Sequence, residues 1–190
     1  MPMANDPRAR GAAMAVTALM ASLLGGCVVD NVESSSGRPL PPEPKRVPPA
    51  PTTSRINAIS LLKGQMPADT TGNGFPNRLD VAVYLFSRPY PVPRHAEGTL
   101  TFTYYPVGSF DPVKGPAQEP LAQWRFDSGV LAVAAIDDVI GPGYALALDL
   151  GSIGLSRLDA QSADLLVEFE APGVAPVRSG SIQRVPFINY

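Results

Sequence analysis

The sequence predicts an all-β domain, a small antiparallel β-sandwich of about seven strands, and three observations carry that prediction. Short β-prone runs recur between turn signals at residues 55–62, 80–87, 98–105, 121–126, 143–150, 163–170 and 177–187. Several of them alternate apolar and polar residues with the period of two that a half-buried strand requires. The 22 Pro and 17 Gly among 190 residues interrupt helical periodicity almost everywhere.

The clearest alternation is TLTFTYY at residues 99–105, where Leu100, Phe102 and Tyr104 share one face and Thr99, Thr101 and Thr103 the other. The runs DVAVYLF and ADLLVEF place Val81, Val83 and Leu85, and Leu165, Val167 and Phe169, on core faces, as central strands would. Residues 129–140, GVLAVAAIDDVI, are the one place where a helix is expected. Leu131, Ala134, Ala135 and Asp138 fall at helical spacing there, ahead of a Gly141-Pro142-Gly143 stop. An immunoglobulin-like or similar arrangement over residues 55–190 follows, leaving roughly 135 residues for one globular unit.

The first 26 residues read as an address. Arg8 and Arg10 precede GAAMAVTALMASLL, an uncharged run of 14 residues at 11–24 that is followed by the small residues Gly25 and Gly26. A membrane-spanning helix needs about 20 residues, so cleavage is the better reading of a run this short. The peptide Leu24-Gly25-Gly26-Cys27 resembles the lipobox of bacterial lipoproteins. The resemblance implies that the Cys27 thiol takes a diacylglycerol, that the chain is cut before it, and that the new amino group is acylated. Acyl chains contribute about 0.8 kcal/mol per buried methylene, so three of them would anchor the protein without a spanning helix. Val28 stands where an aspartate would imply inner-membrane retention, which favours outer-membrane placement.

Residues 27–54 form a tether. Pro39, Pro41, Pro42, Pro44, Pro48, Pro49 and Pro51 crowd a stretch with no hydrophobic periodicity, so no packed core is expected there. Extended polyproline II rises about 3.1 Å per residue, which makes the stretch a spacer of several tens of Å.

Residues 69–80 read DTTGNGFPNRLD, placing oxygen-bearing side chains of Asp69, Thr71, Asn73, Asn77 and Asp80 at calcium-loop spacing. Gly74 stands at the turn position, and Phe75 would offer its carbonyl. Calcium takes six to eight hard oxygens, and this loop offers two anionic ones, Asp69 and Asp80. The pattern resembles the calcium loops of dockerins and thrombospondin type 3 repeats, over these residues alone. The following VAVYLF is a strand instead of a helix, and there is no second copy, so dockerin-type docking is not implied. The alternative is an ion-free Asx- and Gly-rich turn.

Composition sets several functions aside. With 15 Lys and Arg against 17 Asp and Glu, and no basic stripe, the chain lacks the electrostatic footprint of nucleic-acid binding. One cysteine excludes an intramolecular disulfide, and one histidine, His95, is expected in a solvated loop without partners for a catalytic triad. Asp137 and Asp138 are adjacent and so point apart, unlike the facing carboxylates of glycosidases. Gly141-Pro142-Gly143 has no phosphate-loop signature. Trp124 and Tyr84, Tyr104, Tyr105 and Tyr144 could form a sugar-stacking platform, but their places in β-prone runs fit core packing better.

The function expected from sequence is therefore a non-enzymatic, lipid-anchored envelope protein. Its sandwich would be a binding or structural module with a membrane partner, a protein or glycan partner, and calcium as the one cofactor candidate. The alternative is a carbohydrate- or other ligand-binding accessory domain.

Overall fold

A computed structural model of the chain describes residues 47–111 and 113–188. Cys27, the apolar run before it, and the tether up to residue 46 lie outside the described residues. Eleven strands appear in the order β1 (Ala58–Lys63), β2 (Arg78–Phe86), β3 (Thr99–Pro106), β4 (Phe110–Asp111), β5 (Gly115–Pro116), β6 (Ala122–Phe126), β7 (Ala135–Asp137), β8 (Pro142–Asp149), β9 (Ser162–Glu170), β10 (Val177–Arg178) and β11 (Gln183–Pro186). A short helix α1 (Ser128–Val133) precedes β7, and a 3-10 turn (Leu150–Ile153) follows β8.

All pairings are antiparallel. One sheet has the order β1-β2-β8-β7 and the other β10-β9-β3-β6, with β11 paired further along the same edge of β9 as β10. This is the strand order of an immunoglobulin-type sandwich. The only cysteine, Cys27, precedes the sandwich, so packing takes the place of the disulfide that pins many such domains.

Registry follows from the period-two pattern. Val81 and Val83 of β2 face Leu146 and Tyr144 of β8. Leu100, Phe102 and Tyr104 of β3 face Phe169, Val167 and Leu165 of β9 on one side, and Phe126, Trp124 and Ala122 of β6 on the other. These side chains merge into a single buried cluster fed by both sheets. Within it Tyr104 meets Trp124 edge-on at 5.2 Å and Phe187 at 5.4 Å, the offset geometry that aromatic quadrupoles favour. The core positions expected from alternation are all buried, and Thr103 on the outward face is buried as well, accepting a 3.2 Å hydrogen bond from Gln123 Nε2.

The helix expected at 129–140 is real only in its first half. Asp127 caps it, its carboxylate accepting from Val130 N at 3.0 Å. The chain then leaves the helix after Val133, and residues 135–137 pair with β8 as β7. The helix buries only Leu131, so little packing holds a longer one, whereas pairing with β8 supplies backbone partners. Gly141-Pro142-Gly143 is thus the return of a β-hairpin, closed by Asp138 N to Gly141 O at 3.3 Å and Gly141 N to Asp138 O at 3.0 Å. The β4–β5 hairpin and the 3-10 turn are likewise not expected from the sequence, and the run at 177–187 is broken into β10 and β11 instead of forming one strand. Asp111 organises the β4–β5 turn by accepting from Val113 N and Lys114 N.

Two glycines mark close approaches. At Gly143 the Tyr84 ring lies where a Cβ would sit, 2.7 Å away, so the aromatic covers the bare backbone of its cross-strand neighbour. Gly98, at φ +157°, enters β3 with Glu170 O 2.4 Å and the Phe169 ring 2.6 Å from the position of a Cβ. Gly98→Ala should therefore cost about 1–3 kcal/mol in urea unfolding. Gly180→Ala, with open space around it, should leave the midpoint unchanged. Equal midpoints for the two variants would refute this packing.

Candidate functional site

The segment 94–97 enters β3 and is built into the end of the sandwich by long-range contacts. Tyr144, from the inward face of β8, both accepts from Ala96 N at 2.8 Å and donates to Ala96 O at 3.0 Å. His95 Nε2 lies 3.2 Å from Ile136 O and 3.0 Å from Gly143 O, two groups that only accept, so Nε2 carries the hydrogen. Its ring leans on Tyr144 at 5.2 Å. His95 is exposed, as a loop histidine should be, yet it is fixed to the β7–β8 ladder.

Arg94 ties three segments together. Its Nε donates to Ser87 Oγ at 3.3 Å, its Nη1 to His95 O at 3.3 Å, and its Nη2 to Ser54 O. Ser54 closes a turn by donating from both N and Oγ to Pro51 O. The last residues of the stretch read as tether therefore lie against the domain. Nearby, Asn57 and Arg88 exchange reciprocal hydrogen bonds of 3.1 and 2.8 Å.

These contacts leave a cleft of about 390 Å³ between residues 52–56, segment 94–97 and the β9–β10 turn. Ile56, Phe169, Val174 and Val177 line its apolar part, and Arg55, Arg94 and Glu97 bring charge to it. A second hollow of about 290 Å³, bounded by Leu131, Ala132, Ala135 and Tyr144, lies across His95 and Glu97 from the first. Nothing in the sequence marks this place, because its walls come from segments that are far apart along the chain. Arg94 and His95 stand in an ordinary polar loop when read locally.

The residues singled out from the sequence are dispersed. Trp124, Tyr84, Tyr104 and Tyr144 are buried; Trp124 Nε1 donates to Asp149 O at 2.9 Å, so none of these four offers a face for stacking. Tyr105 is half-buried against Phe110 at 5.4 Å. Asp138 accepts from Tyr84 Oη at 2.5 Å and from Ile140 N at 2.8 Å, while Asp137 is exposed on β7.

In the loop 69–80, Asp69 is the organising group. Its carboxylate accepts from Thr71 N, Thr71 Oγ1 and Gly72 N on one oxygen and from Gly74 N on the other, at 2.7 to 3.1 Å. Asn73 accepts from Phe75 N, and the Phe75 ring lies under the Arg157 guanidinium at 5.1 Å. Asn77 is buried; its Oδ1 accepts from Thr70 N at 2.7 Å and its Nδ2 donates to Thr70 Oγ1 at 2.9 Å. Asp80 pairs with Arg78 at 3.0 Å on β2. The loop is thus an Asx turn that brings Asp69, Thr71 and Gly74 together and leaves Asp80 on a separate ion pair.

The carboxylates held below their usual range have structural causes. For Asp69, partial desolvation pushes up, but the amides of Gly74, Gly72 and Thr71 outweigh it. Asp111 is lowered by the Lys114 and Val113 amides, and Asp138 by the Tyr84 hydroxyl and then the Ile140 amide. Burial pushes the Tyr104 phenol well above its ordinary value. No protein-family model, curated protein or solved structure matches the chain.

A depressed carboxyl contributes stability that is present above its unfolded pKa of about 3.9 and lost as pH falls through the lower folded value. As pH falls below about 4, stability of the wild type should therefore drop more steeply than that of Asp69→Ala, followed by urea unfolding at stepped pH. Parallel curves would show that the amides around Asp69 do not hold its charge.

Proposed function

We propose that this chain is a lipid-anchored envelope protein whose β-sandwich is a non-catalytic binding module held out on a proline-rich tether. The observation that carries the reading is the small-small-cysteine ending, Gly25-Gly26-Cys27, directly after a charge-free apolar run too short to span a bilayer. The described residues support the non-catalytic part. Asp69 and Asp111 accept from the amides of their own turns, Asp138 accepts from the Tyr84 hydroxyl as well as from its turn, and the histidine Nε2 is committed to backbone carbonyls. A preformed cleft of the size that small ligands occupy supports the binding part.

The loop 69–80 is the calcium candidate of this proposal. A cation there would take Asp69 from its Thr71, Gly72 and Gly74 donors and would need Asp80 to leave Arg78. On the calcium reading, millimolar calcium raises the melting temperature relative to chelator, and Asp69→Ala abolishes the rise. Identical melting in both conditions leaves the loop as an Asx turn.

The address is tested by growing cells with labelled palmitate. The mature chain should begin at a lipidated Cys27 in mass spectrometry, and Cys27→Ser should lose the label and move from the membrane to the soluble fraction. A label that survives Cys27→Ser, or a mature chain starting elsewhere, would refute the anchor.

A further inference from the structure

We propose that the cleft between residues 52–56, segment 94–97 and the β9–β10 turn binds a small organic monoanion with an apolar body. The inference rests on the reading of the domain as a binding module and gives that module its ligand class. Two arginines, Arg55 and Arg94, line the cleft with one glutamate, Glu97, a surplus of one positive charge.

Among the described residues neither arginine forms an ion pair. Among the described residues the ion pairs formed by arginines belong to Arg78, Arg125, Arg157, Arg178 and Arg184. The partners of Arg94 are a serine hydroxyl and two backbone carbonyls, all uncharged. Those bonds fix the guanidinium plane and leave one N–H on each terminal nitrogen unused. A rigid, charged donor with spare N–H groups beside a hollow is suited to a carboxylate, which it meets through charge-assisted hydrogen bonds.

The remainder of the cleft is apolar. Phe169 is almost fully buried and Ile56 nearly so, while Val174 and Val177 are half-buried. The volume of about 390 Å³ admits a ring or a branched aliphatic body next to the anionic head. Two of its segments are held by the Tyr144–Ala96 and Arg94–Ser54 bonds and the β9–β10 turn by Val174 N donating to Ala171 O at 3.2 Å, so the hollow exists before the ligand arrives.

The test is isothermal titration of the protein as purified from cells with 3-phenylpropionate and with its neutral isostere 3-phenylpropanamide. The acid should bind one-to-one and about 10-fold tighter than the amide, the margin that a charge-assisted contact provides. Arg55→Glu should remove that preference, and Ala175→Trp, a replacement at an exposed position on the rim, should abolish binding of both. Unchanged melting midpoints confirm that both variants fold. Absence of binding, equal affinity for acid and amide, or binding untouched by Ala175→Trp would each overturn the assignment. Lipid at Cys27 is scored on the same preparations, so a failed anchor and a failed cleft give separate results.

Discussion

Every other feature of this domain depends on the inward faces of β2, β3, β8 and β9 being apolar at alternate positions. Leu79, Val81, Val83 and Leu85 on one sheet and Leu100, Phe102, Tyr104, Leu165, Val167 and Phe169 on the other are all nearly inaccessible to water. A one-residue slip in any of these strands would turn the whole set outward, so the register is strongly specified. Once those strands are locked, their ends lie at fixed positions, and the connections have little choice of path. Segment 94–97 follows from this, because Tyr144 projects from β8 in the inward series and places its hydroxyl where it meets the Ala96 backbone.

The same alternation explains what could be read without coordinates. The six long runs before residue 171, their core faces and the sandwich class are properties of local pattern, and each is visible in a few consecutive residues, whereas the run at 177–187 is broken into β10 and β11. β7 escaped because Ala135, Ile136 and Asp137 are too few to show a period, and the residues around them also fit a helical spacing. What decides their state is the neighbouring strand: Ala145 N donates to Ala134 O at 2.9 Å, a contact that local propensity cannot anticipate. The β4–β5 hairpin is shorter still, two residues a side.

The cleft was illegible for a related reason. Its walls combine Ser54, Arg94 and Val174, which become neighbours only when both sheets have closed. The loop at 69–80 shows the opposite case. The Asp, Asn and Gly spacing marks a loop in which Asp69 gathers Thr71, Gly72 and Gly74 while Asp80 stays with Arg78. Spacing alone could not tell whether those oxygens face one another or the amides of their own loop, since both arrangements need the same Asx and Gly residues.

The outermost strands have a consequence for how the domain behaves among its own kind. The β9 side of its sheet is bordered not by one long strand but by β10, of two residues, and β11, of four, and the β8 side of the other sheet by β7, of three. Each offers only a few outward N–H and C=O groups before the chain turns away. On the longer β1, Gln183 Nε2 already occupies the Leu61 carbonyl at 2.6 Å. Borders this broken are poor templates for another sheet to extend, which leaves the five-residue β6, beside β3, as the more continuous edge where stacking of crowded copies would have to begin.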